Sequence, residues 1–316
     1  MEQNNNKIVV TGSPHVRSRM TTQSVMWNVT MSLLPALVCA LWVFGWRVIG
    51  VVAVSIIGCM LTEYVCNKFL FKRKDTLTDG SAFLTGLLLG MSLPSSLPLP
   101  MAFVGGVFAI GVGKMAFGGL GQNIFNPALV GRVFLLISFP AAMTTWPVPM
   151  EWDGTTGATI LTAMHESGLS PEQIDVMNLA LGNRGGSLGE VGTVALLLGG
   201  VYLMIRRIIK CYIPLSIIGS IAVLDLVTGN MMVLDLMTGG LILGAVYMAT
   251  DYVTSPMNRW GQILYGVMIG VITFVIRHYG SYPEGISFAI LLMNGCTPLI
   301  NRWMEPKIFG ERRAKA

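Results

Sequence analysis

Apolar residues are gathered along this chain into long runs, which are separated by short polar or glycine-rich segments. A bilayer core of about 30 Å is crossed by about 20 apolar residues in helical form, and on this basis the runs predict ten membrane spans. The spans of the first half are 24–44, 48–67, 80–94, 98–117 and 124–140, and those of the second half are 190–206, 211–228, 233–250, 260–277 and 284–302. The pattern therefore predicts an all-α polytopic membrane protein.

Polar segments divide the chain into five parts. The parts are the N-terminal segment 1–23, the first membrane half 24–140, the polar loop 141–189, the second membrane half 190–302 and the C-terminal tail 303–316. Five spans is an odd number, so the two halves would be inverted relative to each other, as in many transport folds. The sequence GLLLG at 86–90 also resembles GLILG at 240–244. We therefore expect two inverted five-helix repeats.

Composition and charge agree with a membrane protein. Only 12% of the residues are charged and 53% are hydrophobic, whereas soluble domains have about 25% charged residues. Cytoplasmic segments of membrane proteins carry an excess of Lys and Arg. With the N-terminus inside, 17 of the 21 basic residues fall in cytoplasmic segments, 3 fall outside and Arg132 lies in the fifth span. Both termini are therefore expected in the cytoplasm, and the loop 141–189 outside the cytoplasmic membrane of a bacterium or archaeon.

The basic residues and the cysteines exclude other classes of function. The net charge is +5, but no basic stretch is interleaved with aromatic residues, so nucleic-acid binding is not expected. The five cysteines form no CxxC or CxxxC pair, and the three histidines are far apart in the sequence. Zinc and iron–sulfur sites use closely spaced ligands. The sequence thus predicts no metal site within this chain and leaves open a cluster shared with a neighbouring protein.

One candidate for chemistry lies in the polar loop, at residues 153–159, which read Asp-Gly-Thr-Thr-Gly-Ala-Thr. The small residues remove bulk around the hydroxyl of Thr159 and permit tight turns. Asp153 can hydrogen-bond local N–H groups and shape such a turn. Taken alone, these residues are more often an ordinary glycine and threonine turn.

A second candidate is the segment 118–128, which reads GGLGQNIFNPA. It places the amides of Gln122, Asn123 and Asn126 at the mouth of the fifth span, and an Asn side chain can both donate to and accept from a flavin edge. The pair Asn126-Pro127 is also a typical helix start. Binding and capping are both open, and they are compatible.

The two segments, in this order, resemble one family: RnfD of the Rnf electron transport complex, together with its counterpart in the sodium-translocating NADH:quinone reductase. The resemblance extends from about Pro14 to Trp303. It implies that Thr159 carries FMN through a phosphoester bond, within a site formed by Asp153, Thr156, Gly157 and Ala158. It also implies a second, non-covalent flavin, riboflavin, near Gln122, Asn123 and Asn126. Trp146 either stacks on a flavin or anchors the chain at the membrane interface.

Ionisable residues within the spans are candidates for an ion route, because charges in lipid are costly and usually face a protein interior or an aqueous path. These residues are Glu63, Asp79, Arg132, Asp225, Asp235 and Asp251. Asp79 and Asp251 are the preferred candidates for the ion pathway. Glu63, Asp225 and Asp235 lie near predicted span ends, where they could simply contact headgroup water.

The resemblance implies a flavin-carrying membrane subunit of an ion-translocating ferredoxin:NAD⁺ oxidoreductase, a complex of about six subunits. Such a chain would relay electrons and couple them to Na⁺ or H⁺ transport, and would meet ferredoxin and NAD⁺ only through other subunits. It would be part of an enzyme, a translocase, without being catalytic alone. The alternatives are a solute channel or transporter on the same inverted plan, and a passive assembly scaffold. Neither alternative requires a flavin.

Overall fold

The computed structural model describes residues 21–72, 77–147, 156–157, 185–229, 232–280 and 284–304, with the backbone alone for 156–157 and 232–234. Helices make up most of this part of the chain. The helices of the first half are α1 (Thr22–Phe44), α2 (Arg47–Val65), α3 (Ser81–Met91), α4 (Leu99–Gly111), α5 (Pro127–Ser138) and α6 (Pro140–Met143). Those of the second half are α7 (Thr193–Ile205), α8 (Tyr212–Thr228), α9 (Met232–Met237), α10 (Leu241–Leu243), α11 (Arg259–Tyr279) and α12 (Ile286–Trp303). Between the halves, β1 (Trp146–Pro147) pairs with β2 (Thr156–Gly157).

Four helical segments of the described chain are long and apolar enough to cross a membrane. They are Thr22–Phe44, Arg47–Phe71, Leu99–Phe117 and Arg259–Tyr279. Shorter apolar helices occur at Ser81–Met91, Pro127–Ser138, Thr193–Ile205 and Tyr212–Thr228. The helical class is confirmed, and the chain is a multi-pass membrane protein. Every predicted span contains helix, although many of these helices are too short to cross a bilayer core alone.

The predicted short third span, 80–94, contains α3 and its helix ends before the proline-rich turn, whereas the prediction of one continuous helix over 233–250 is wrong. Helix α3 ends at Met91, because the segment that follows contains three prolines between residues 94 and 100. Proline lacks the N–H that continues a helix. In the second half, Gly239 and Gly240 have φ values of 64° and 63° and separate α9 from α10. This left-handed backbone favours glycine and interrupts a right-handed helix.

Close helix packing relies on small residues, as is common between membrane helices. Helix α2 packs against α3 and α4, and α8 packs against α11. A Cβ atom at Gly106 in α4 would lie 2.9 Å from the carbonyl oxygen of Ser55 in α2. A Cβ atom at Gly270 in α11 would lie 3.0 Å from the carbonyl oxygen of Ile217 in α8. Both crossings therefore bring the backbones of two helices almost into contact.

Polar groups gather at two places in this apolar bundle. At the first, called the pocket end, the start of α3, the end of α4 and the start of α5 meet the segment after α10, near Ser81, Lys114, Asn126 and Asp251. At the second, called the charged end, Arg132 of α5 contacts Glu284, and the last turns of α8 and α11 meet α9. The strand pair belongs to a third region, beside the turn that follows α3.

Candidate flavin and ion sites

The middle of the 153–159 segment is held by the strand pair. Gly157 pairs with Trp146, and Thr156 pairs with Pro147, in antiparallel register. The side chain of Trp146 is only 4% exposed, so it lies within the protein rather than at the lipid surface. The hydroxyl of Ser96, in the turn after α3, donates to the carbonyl of Thr145 at 2.9 Å. The backbone of Thr156 and Gly157 is therefore attached to the membrane bundle.

Three of the expected FMN-site residues, Asp153, Ala158 and Thr159, lie outside the described residues. For Thr156 and Gly157 the backbone alone is described. The attachment of FMN at Thr159 therefore stays a prediction from the sequence.

Asn126 begins helix α5, as the capping alternative expects. Its Oδ1 accepts hydrogen bonds from the backbone N–H groups of Ala128 at 3.0 Å and Leu129 at 3.5 Å. Its Nδ2 donates to the carbonyl of Met248 at 3.0 Å, which connects the two halves of the chain. Such a cap satisfies N–H groups that have no partner within the helix. Both ends of the Asn126 amide thus have structural partners.

Asn123 occupies a different position in the same turn. It is 6% exposed, its Nδ2 donates to the carbonyl of Phe125 at 3.1 Å, and its amide also contacts the carboxylate of Asp251. Within the described residues, no donor bonds to its Oδ1. Gln122 is exposed and does not line the pocket described next. The structure therefore separates Asn123, which has an acceptor left for a ligand, from Gln122.

A pocket lies between the two halves of the bundle. Its cavity volume is about 90 Å³ and it is partly open to the exterior, so it is smaller than the small-molecule sites of about 300–1,000 Å³ that are usual. Its walls are mostly apolar, and its polar groups come from several elements. These polar residues are Ser81, Thr85, Lys114, Asn123, Asn126, Tyr247, Thr250, Asp251 and Tyr252. The lining is largely apolar with a few polar groups at its edge, which is the chemistry that one edge of a planar heterocycle requires.

Lys114 provides the positive charge in the pocket wall. Its Nζ lies 2.7 Å from a carboxylate oxygen of Glu63 and 2.8 Å from the hydroxyl of Ser81. The side chains of Lys114 and Glu63 are 2% and 1% exposed. The alternative that Glu63 contacts headgroup water is therefore wrong. Lys114 belongs to the interior rather than to a cytoplasmic loop. The sequence indicated that these charges are buried, because Glu63 and Lys114 are each an isolated charge within an apolar run.

The two preferred ion-pathway residues have different surroundings. Asp251 lines the pocket and accepts hydrogen bonds from the hydroxyl of Thr254, at 3.3 Å, and from the N–H groups of Tyr252 and Val253. Asp79 is half-buried in the short turn before α3 and does not line the pocket. The structure therefore places Asp251 beside Asn123 and leaves Asp79 out of this site.

The charged end holds the other ionisable residues of the spans. Arg132 donates to Glu284, and both side chains are largely buried. Asp225 and Asp235 are 0% and 6% exposed, so contact with headgroup water is wrong for them as well. His278 lies beside both carboxylates. Sequence spacing missed this group, because its members are 10 and 43 residues apart along the chain.

Comparison with known proteins gives a consistent family. Residues 9–310 match the model of the NQR2, RnfD, RnfE family. The chain is 43% identical over 310 residues to the subunit designated D in the Na⁺-translocating ferredoxin:NAD⁺ oxidoreductase complex of Acetobacterium woodii, covering 98% of this chain and 97% of that protein. It is 41% identical over 325 residues to the subunit of the same designation in the proton-translocating ferredoxin:NAD⁺ oxidoreductase complex of Clostridium ljungdahlii, covering 98% of each chain.

A third relative carries the same designation in the ion-translocating oxidoreductase complex of Stutzerimonas stutzeri, and it is 37% identical over 92% of this chain and 93% of that protein. The matches run through both membrane halves and the polar loop between them. From the family match and these relatives, the chain belongs to the NQR2, RnfD, RnfE family.

Proposed function

We propose that this chain is a flavin-carrying membrane subunit of an ion-translocating ferredoxin:NAD⁺ oxidoreductase complex, and that it relays electrons between partner subunits. The relatives at 43% and 41% identity carry names of that kind. The observation that carries the flavin role is the strand pairing that fixes Gly157 of the Thr159 segment against the buried Trp146. Such a chain contacts ferredoxin and NAD⁺ through other subunits of the complex.

The first flavin in this proposal is FMN on Thr159. Thr159 lies two positions after Gly157 in the sequence, and a step of two residues extends at most about 7 Å. The proposal therefore requires the attachment point to lie within that distance of the strand pair. A phosphoester bond would retain the cofactor outside the membrane, where a dissociated flavin would be lost. Trp146 and the backbone at Thr156 and Gly157 would support its position.

The second flavin is a non-covalent one, such as riboflavin, in the pocket. The chemistry of the lining suits a flavin ring, because the pocket is largely apolar and Asn123 retains an acceptor oxygen, and the walls would have to move apart to admit the whole ring. Asn123 would bind the polar edge of the ring, and the ammonium of Lys114, paired with Glu63, would lie in the same wall. Asn126 would hold the turn in shape rather than bind the ring. A bound flavin exchanges one or two electrons, and the protein orients it and tunes its potential.

We also propose ten spans in two inverted repeats, with both termini in the cytoplasm. The α2–α4 crossing lies at Ser55 and Gly106. Glu63 and Lys114, each eight residues later in the sequence than one of these, form an ion pair. The α8–α11 crossing lies at Ile217 and Gly270, and eight residues further along Asp225 meets His278. The two parallel helix pairs thus repeat one arrangement. The first pair ends at the pocket end of the bundle and the second pair at the charged end. This repeated arrangement supports inversion.

Ion coupling belongs to the same proposal, with Asp251 and Asp79 on the route. Asp251 contacts Asn123, so a charge change in a bound flavin would be felt at its carboxylate. The identity of the ion stays open between Na⁺ and H⁺, since the two relatives with similar identity are named for different ions.

The functional test uses the assembled complex in sealed vesicles. Reduced ferredoxin should drive NAD⁺ reduction together with uptake of Na⁺ or H⁺. The change Thr159→Ala should abolish both activities by removing one electron carrier, while the subunits stay assembled. Thr155→Ala is the matched control and should retain both. Full NAD⁺ reduction and ion uptake in an assembled Thr159→Ala complex would exclude the relay and would favour a scaffold or a flavin-independent transporter.

A further inference from the structure

Three metal-ligating side chains converge at the charged end. Asp225 lies in the last turn of α8, Asp235 in α9 and His278 in the last turn of α11. One ligand atom of each lies within 4.8 Å of the others. Nε2 of His278 is 3.0 Å from Oδ2 of Asp235 and 3.9 Å from Oδ1 of Asp225. These separations are of the size found between neighbouring ligands of one metal ion, whose bonds are about 2.0–2.2 Å long.

Asp225 provides a second, independent observation. Its side chain is fully buried, and neither carboxylate oxygen accepts a hydrogen bond from the described residues. Its nearest charged neighbours include the carboxylate of Asp235, which repels it. A buried carboxylate without a hydrogen-bonded partner is strongly unfavourable. A cation placed among the three side chains would neutralise this arrangement.

Arg277 lies next to His278 in the sequence, but it forms no ion pair with the Asp225 carboxylate. Its guanidinium donates to the backbone carbonyls of Asp235 at 2.6 Å, Thr238 at 2.9 Å and Gly239 at 3.3 Å. Carbonyls at the end of a helix such as α9 have no partner within it. The guanidinium comes no closer than 4.0 Å to the Asp235 carboxylate. Arg277 therefore attaches α9 to α11, and it positions Asp235 without pairing with Asp225.

We propose that Asp225, Asp235 and His278 bind one divalent transition-metal ion of the zinc, cobalt or manganese class. The His278 imidazole favours this class of metal, because its members bind imidazole nitrogen together with carboxylate oxygen. Hard cations such as Mg²⁺ and Ca²⁺ prefer oxygen ligands alone. The His278 side chain is 24% exposed, so one ligand of the site reaches the protein surface. The bound ion would cross-link α8, α9 and α11. It is independent of the flavins and of the electron relay.

Binding is tested on the full chain, purified in detergent, stripped with a chelator and then titrated with Co²⁺ or Zn²⁺. One equivalent per chain should bind and should raise the temperature of unfolding. X-ray absorption of the bound metal should show imidazole nitrogen and carboxylate oxygen and no sulfur. Excess Na⁺ should leave the metal in place. Sulfur ligands, displacement by Na⁺ or the absence of stoichiometric binding would overturn the site, and none of these results depends on a variant.

Variants identify the ligands. Loss of a residue that merely orients a ligand typically costs about 10–100-fold in metal affinity, so Asp225→Asn and His278→Gln should each weaken Co²⁺ binding at least tenfold. The matched controls Asp79→Asn and His165→Gln should bind as the wild type does. A single symmetric peak in size-exclusion chromatography would report that the variants are folded. Unchanged affinity in folded Asp225→Asn and His278→Gln proteins would place the metal elsewhere and overturn the proposal.

Discussion

Asn123 and Asn126 are three residues apart, yet the structure gives their amides different partners. Asn126 uses Oδ1 to cap α5 and Nδ2 to reach Met248 across the bundle. Asn123 contacts Asp251 and Phe125 with its amide and retains an acceptor oxygen at the pocket. The sequence showed that both capping and binding were available in this turn. It could not assign them, because the assignment depends on Met248 and Asp251, which are more than 120 residues away.

The change Asn123→Leu is expected to release the non-covalent flavin. A lost hydrogen bond at a buried edge costs about 1–3 kcal/mol, which corresponds to about a 5- to 150-fold loss in affinity. Flavin extracted from the purified protein by acid measures the effect, and Gln122→Leu is the exposed control. Asn126→Ala should instead lower the yield of folded protein and reduce both flavins in parallel. Unchanged extractable flavin in folded Asn123→Leu protein would remove Asn123 from the site.

Lys114 shows how a buried charge can be tolerated in an apolar bundle. Its ammonium has both an ionic partner and a hydroxyl partner, at 2.7 Å and 2.8 Å. Breaking such a buried pair by removing one partner is usually costly, whereas the intact pair need not stabilise the fold. The pair connects the ends of α2 and α4 to the start of α3. The sequence showed the isolated charges but not their pairing, since Glu63 and Lys114 are 51 residues apart.

At the scale of elements, hydrophobic patterning predicted the positions of helices but not their interruptions. The prolines from residue 94 to residue 100 predicted that the third span is short, and α3 ends at Met91. The run of apolar residues over 233–250 suggested a single helix, but the structure separates α9 from α10 at two left-handed glycines. Two glycines in a membrane run are too common to predict a break, because glycine also serves close packing.

Glycines at helix crossings allow a specific prediction about the stability of the folded protein. A side chain at Gly106 would meet the carbonyl oxygen of Ser55 at 2.9 Å and the backbone N of Cys59 at 3.1 Å, and backbone atoms of α2 cannot move aside. Gly106→Ala should therefore destabilise the folded protein by about 1–3 kcal/mol. The temperature of unfolding in detergent measures this change.

Gly219 in α8 is the matched control, because a Cβ atom there has no heavy atom within 4 Å. Alanine at an open helical position is better by up to about 1 kcal/mol, so Gly219→Ala should be neutral or stabilising. Equal unfolding temperatures for the two variants would contradict the close crossing of α2 and α4.

For the whole molecule, the inverted repeat and the orientation of the termini rest on charge and pairing rather than on helix length. Only four of the described helical segments are both long and apolar enough to cross a membrane by themselves. Two of the charges counted in the sequence, Lys114 and Arg277, are buried, so they inform the orientation less than loop charges do. Most of the remaining basic residues still fall in the segments that the ten-span proposal assigns to the cytoplasm.

The orientation is tested by labelling single cysteines. Cysteines introduced at Gly168, in the polar loop, and at Ala314, in the C-terminal tail, in a background without the five native cysteines, should react with an impermeant thiol reagent on opposite sides of the membrane. The reason is that positive charge retains the termini inside while the acidic loop is translocated. Labelling of both positions from the same side would require an odd change in the number of spans.

The central claim is that this protein carries a covalent flavin at Thr159, and the flavin fluorescence of the denatured chain tests it most directly. After electrophoresis under denaturing conditions, the wild-type band should fluoresce under ultraviolet light, and mass spectrometry should locate FMN on the peptide that contains Thr159. Thr159→Ala should abolish the fluorescence, and Thr155→Ala should retain it. A fluorescent Thr159→Ala band, or a wild-type band without fluorescence from an assembled and active complex, would contradict the account.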